Sequence, residues 1–142
     1  MSKFHWLEKL ELGDLQVLTA CVAELLPSGR PEPLLGLTTH ALTPIGVTAG
    51  SRRYQVQFRN VGAYKVVPEP YNEVSSSASH LEPFLLREMA SSYLEQMEGA
   101  MHLANIPNVD GVMHYVVYAE NHVVHVLTSS DPTILAMAGN GS

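Results

Sequence analysis

Two clusters of residues in this chain could do chemistry. In the stretch VMHYVVYAENHVVHVLT, Val112 to Thr128, the pair Glu120-Asn121 is the only turn-like element between two arms rich in Val and Tyr. If those two residues form the loop, Ala119 faces His122. His114 and His125 then share one face of adjacent strands at a diagonal, within reach of one ion should a carboxylate or third histidine join them. The plainer reading is two polar residues on a partly wet face. The second cluster is Glu69, Tyr71 and Glu73, which could converge with His114 and Tyr64. A carboxylate beside imidazole and phenol is the minimum set for proton transfer, although such loop residues are more often simply solvated. The binding residues expected on this basis are Tyr64, Glu69, Tyr71, His114 and His125. No catalytic residue is assigned, and neither a metal nor a cofactor is expected. No phosphate loop, dinucleotide fingerprint, nucleophile elbow or HExxH zinc helix occurs in the sequence, and Cys21 stands alone. Met89, Met97, Met101 and Met113 could line an adaptable groove, but at helical spacing they fit a core better.

These residues need a scaffold, and the hairpin itself supplies the first part of one. Side chains alternate along a strand, so Met113, Tyr115, Val117, Val124 and Val126 take one face. His114, Val116, Tyr118, Val123, His125 and Leu127 take the other. Both faces are largely apolar. The hairpin therefore belongs inside a sheet, with a helix or second sheet on one side and loops or a partner on the other. Upstream, Tyr54, Val56 and Phe58 alternate with Gln55, Gln57 and Arg59, the period of a half-buried strand. Gly62 interrupts the pattern, yet Tyr64 and Val66 keep its parity, so a bend or bulge is expected there before Pro68-Glu-Pro70 ends the run. Phe4, Trp6 and Leu7 make a short apolar patch, followed by a turn at Gly13-Asp14. LLGLTTHALT reads as a strand ended by Pro44, and YNEVSSSASH as a loop. In the segment 15–26, LQVLTACVAELL, helix and strand are evenly matched. The segment 81–104 is either one amphipathic helix or a strand, PFLLREMA, followed by a helix from Tyr93 to about Ala104. In the second reading Ser92-x-x-Glu95 caps the helix, whose buried stripe is Leu94, Met97, Met101 and Ala104.

Composition bounds the class. With 46% hydrophobic and 15% charged residues the chain is globular, and 142 residues suit one domain over 1–142, with a frayed tail at 138–142. A net charge of −6, from 8 basic and 14 acidic residues, speaks against binding a phosphate backbone, so nucleic acid is not an expected partner. No run approaches the roughly 18 apolar residues of a membrane span, and the single cysteine suits a reducing compartment. A soluble, cytoplasmic protein is expected.

YQVQFRNVGAYKVVPEPYN, SSYLEQM and MHYVVYAENHVVHVLTSSDPTI together resemble small bacterial single-domain proteins of unknown function. In these a strand F-x-N-V-x-A-Y-x-V is followed by an acidic residue and a Tyr, an S-x-Y-L helix start and a terminal H-Y-x-I/V hairpin. The landmarks here are Phe58, Asn60, Val61, Ala63, Tyr64, Glu69, Tyr71, Ser92, Tyr93, Leu94, His114, Tyr115, Asn121, His122, Val123 and Pro132, spread over about the last two thirds of the chain. The resemblance implies an α+β domain without a settled activity, and it tips 15–26 towards a strand and 81–104 towards strand plus helix. This chain departs from the pattern at His125, where an acidic residue is usual, and in the prolines flanking Glu69.

The expected fold is therefore α+β: a mainly antiparallel β-sheet of about five to seven strands, sandwich or barrel-like, with one principal helix on it. The expected function is that of a non-enzymatic protein-binding module, of inhibitor or immunity type, whose acidic surface steers a basic partner. The alternative is a small-ligand or metal-binding protein or enzyme working through the histidine face. A homodimer is a further expectation, because a two-faced apolar hairpin leaves surface to cover.

Overall fold

A computed structural model describes residues 4–27, 32–33, 41–42, 45–72, 78–89, 91–97 and 111–137. The strands of the first half are β1 (His5–Leu12), β2 (Leu18–Glu24), the two-residue pieces β3 (Leu26–Pro27), β4 (Glu32–Pro33), β5 (Ala41–Leu42) and β6 (Ile45–Gly46), then β7 (Arg53–Phe58) and β8 (Val61–Pro68). Next come β9 (Ala78–Glu82), β10 (Leu85–Glu88), the helix α1 (Ser92–Met97), the hairpin β11 (Met113–Tyr118) and β12 (His122–Thr128), and β13 (Thr133–Met137). The described residues form mainly antiparallel β-sheet with one short α-helix. Four strands make one sheet in the order β1-β2-β7-β13, and five make another in the order β8-β12-β11-β10-β9. Among the described residues neither closes on itself, and the nine strands of these two sheets exceed the five to seven expected.

The two sheets share a core. Leu18, Ala20, Val22, Val56 and Phe58 come from the four-stranded sheet, and Leu85, Tyr115, Val117, Val124 and Val126 from the five-stranded one. Phe58 and Tyr115 meet with ring centroids 5.9 Å apart. β7 earns its place by alternation: Val56 and Phe58 are fully buried, while Gln55 and Gln57 between them are not.

The hairpin has the register expected from its turn. Ala119 donates to the His122 carbonyl at 3.2 Å, and Val116 lies opposite His125. It sits inside the five-stranded sheet between β8 and β10, with its Tyr115/Val117 face against the other sheet. Its turn has a second task. The Asn121 side chain accepts from Leu7 N–H at 3.0 Å and donates to Leu7 C=O at 3.1 Å, so one amide stands in for a neighbouring strand. This anchors β1 where its pairing with β2 shifts between Leu7 and Lys9.

Several expectations are corrected. The strand of Tyr54 does not run on through a bulge at Gly62. It ends at Phe58, and the chain crosses to the other sheet at Asn60, whose φ of 55° lies in the left-handed region. Gly62 lies within β8. Asn60 is held by Ser130 at 2.8 Å, and the Thr128 hydroxyl donates to the Arg59 carbonyl, so the two crossovers between sheets are tied together. Of the Phe4, Trp6 and Leu7 patch, Trp6 and Leu7 lie in a full strand, β1, with Phe4 just before it, and Ala78 to His80 begin β9 rather than ending a loop. The segment 15–26 is a strand over Leu18–Glu24, and β10 excludes a single helix over 81–104. The helix cap is Ser91, not Ser92: Leu94 N–H donates to Ser91 Oγ at 2.9 Å. The buried residue of α1 is Tyr93, with Leu94 and Met97 only partly covered. Met101, Ala104, the tail 138–142 and most of LLGLTTHALT lie outside the described residues.

Candidate functional site

The outward face of the five-stranded sheet carries the chemistry. His114 Nε2 lies 2.8 Å from His125 Nδ1, the diagonal contact expected from the hairpin register. The pair is extended at both ends. Ser91 Oγ lies 2.7 Å from His114 Nδ1, and Asn72 Oδ1 lies 2.8 Å from His125 Nε2.

The donors can be ordered from one end. Asn72 Oδ1 can only accept, so His125 Nε2 carries a proton and His125 Nδ1 is left as an acceptor. His114 Nε2–H therefore donates to it, His114 Nδ1 accepts from the Ser91 hydroxyl, and Ser91 Oγ accepts in turn from Leu94 N–H. Every bond points the same way and both rings are neutral. Adding a proton to His125 Nδ1 would set donor against donor, and adding one to His114 Nδ1 would force the Ser91 hydroxyl to turn from donor to acceptor. Burial holds His114 down to about 4, aided by the positive charge of Lys65. Burial likewise holds His125 to about 4, with His114 and Lys65 adding to it and Glu88 opposing. Tyr93 covers the pair, edge-on to His114 at 5.4 Å and to His125 at 6.2 Å, and Lys65 Nζ sits 4.4 Å from the centroid of the Tyr93 ring.

Beside this relay lies a groove of about 830 Å³. Its floor includes Leu86 and Val116, which are partners across β10 and β11, and His125, which pairs with Val116 from β12. Phe4, Leu81 and Pro83 add apolar walls, and three carboxylates, Glu82, Glu88 and Glu120, line it together with His80 and Tyr118. Among the described lining residues there is no lysine or arginine. At the hairpin-turn end the Tyr118 hydroxyl donates to Glu69 Oε1 at 2.7 Å, and this bond, with burial, pushes the phenol up to about 12. Burial raises the Glu120 carboxyl above its ordinary value, and the charge of Glu69 raises it further.

Of the residues expected from sequence, His114 and His125 are brought together, and Glu69 reaches the groove through Tyr118. Tyr64 pairs with Val126 and so shares the opposite, inward face, where it is exposed at the sheet edge. It does not converge with His114. The Tyr71 side chain and Glu73 lie outside the described residues. Sequence reading missed Ser91, Asn72 and Glu120. Ser91 had a signal, since it neighbours the motif assigned to Ser92, whereas Asn72 follows Pro-Glu-Pro-Tyr with no pattern to mark it.

Among the described residues no group of three or more His, Cys, Asp or Glu side chains is placed to hold a metal ion, and no helix is long and apolar enough to cross a membrane. No family model, curated protein or solved structure matches the chain.

Proposed function

We propose that the two sheets form a β-sandwich scaffold for a non-enzymatic binding module, of the inhibitor or immunity kind, whose partner lodges in the groove on the five-stranded sheet. The observation that carries this reading is the groove itself, an apolar trough of about 830 Å³ floored by strands and rimmed by polar groups. Such a volume lies in the upper part of the range, roughly 300–1,000 Å³, of sites that enclose a ligand. A floor of paired strands is rigid, so binding has little ordering to offset.

The histidine alternative is less well supported. All four ring nitrogens of His114 and His125 already have partners within the chain, so a metal or a substrate proton would have to displace one of them. The relay is better read as a brace that ties α1, the hairpin and the 69–72 turn into one wall.

The test is amide chemical-shift mapping with a neutral solvatochromic dye. Shifts confined to Leu86, Val116, Tyr118 and Glu120 are expected. Shifts on the outer face of the four-stranded sheet, or none, would show that the groove is not the binding site.

A further inference from the structure

We infer that the occupant of the groove is an extended segment of a partner protein carrying two basic residues four apart, with an apolar residue between them. This rests on the groove being the binding site, as proposed above.

Carboxylates stand at both ends of the groove. Glu88 lies opposite His114 across β10 and β11, at one end of the groove. Tyr118 lies four residues further along β11, and beside it stand Glu69, hydrogen-bonded to its hydroxyl, and Glu120. At about 3.4 Å per residue the two acidic ends are roughly 14 Å apart. Between them the floor is Leu86 and Val116, flanked by the neutral ring of His125. The pattern is negative, apolar, negative.

Its complement is positive, apolar, positive on one face of an extended chain. In such a chain residues i, i+2 and i+4 point the same way, and the first and last are separated by the same distance of about 14 Å. The Glu120 end also gains from a cation, since burial and the charge of Glu69 disfavour the ionised Glu120 carboxylate there. A small diamine would satisfy the charges but leave the walls wet. Phe4 and Leu81, which line the groove, remain 50% and 47% exposed, and a polypeptide can cover them. The net charge of −6 steers a basic segment towards this surface.

The probes are the end-blocked peptides Lys-Leu-Val-Leu-Lys, Glu-Leu-Val-Leu-Glu and Lys-Ser-Gly-Ser-Lys, together with spermidine, titrated calorimetrically at low and moderate salt. The first should bind most tightly and weaken as salt rises. Glu120→Gln and Glu88→Gln, both partly exposed positions that leave the core untouched, should each weaken it by about three- to five-fold, the scale of one solvent-accessible ion pair. Leu86→Trp should abolish binding by filling the floor, and Leu81→Trp does the same from the wall should the first fail to fold. Equal binding of the acidic peptide, or spermidine binding as tightly as the first peptide, overturns the inference. If no peptide binds while the neutral dye still maps to Leu86 and Val116, this inference fails and the groove stands. If the dye fails as well, both fall.

Discussion

Lowering the pH should destabilise this protein before its carboxylates titrate, because the histidine relay is built for neutral rings. His114 and His125 are both held down to about 4, from an ordinary value of 6.5. Between those values the unfolded chain binds protons that the folded one does not. The relay's contribution is therefore complete above pH 6.5 and is lost as the pH falls towards 4. A shift of that size corresponds to about 3 kcal/mol per group at ~1.4 kcal/mol per unit. His114 is only 5% exposed and retains most of this, whereas His125 is less buried and its share is smaller. The two also share one bond, so the pair should contribute about 3 kcal/mol rather than twice that. Glu120 works in the opposite sense: its raised carboxyl favours the folded state as the pH falls, and trims the loss. Denaturant midpoints measured from pH 7.5 to 4.5 should fall steadily at constant m. In His125→Gln the amide can accept from His114 and donate to Asn72, so the variant should cost about 1 kcal/mol at pH 7.5 and lose about half the pH slope. Ring nitrogen shifts should place the proton on Nε2 of both histidines. A flat stability profile over this range, an unchanged slope in the variant, or a protonated Nδ1 would refute the ordered relay.

Three further outcomes follow from single contacts. Asn121→Ala removes both bonds to Leu7 and should cost about 1–2 kcal/mol, with the Leu7 amide losing hydrogen-exchange protection first. Asn60→Val combines a β-branched residue at φ 55° with loss of the Ser130 bond, and a fall of about 2–3 kcal/mol in urea stability is expected, against less than about 1 kcal/mol for Asn60→Gly. Cobalt added at pH 7.5 should produce no tetrahedral visible absorption from the relay. Such a band in the wild type, abolished in His114→Gln, would show that a metal displaces Ser91 or Asn72.

The hairpin was legible in sequence because every requirement for it is local. The turn pair Glu120-Asn121 sets the register, the register sets the faces, and alternation then puts His114 beside His125 before any other strand is known. β7 was legible for the same reason, through the period of Tyr54, Val56 and Phe58. What tertiary structure alone decided was where those strands go. Nothing local distinguishes a bulge at Gly62 from a crossover at Asn60; the choice depends on Ser130 and Thr128, some seventy residues away, closing the corner. Parity likewise kept Tyr64 in line with Phe58, but burial depends on what lies opposite, and at the sheet edge Tyr64 has little cover. The site divides along the same line. The two histidines are paired by one hairpin, whereas Ser91, Asn72 and the three carboxylates of the groove arrive on separate segments, and their convergence is set by strand order rather than spacing. A sequence with alternating faces determines which residues must share a surface. Only the packed sheets determine which of those surfaces becomes core, which becomes relay and which is left as a groove.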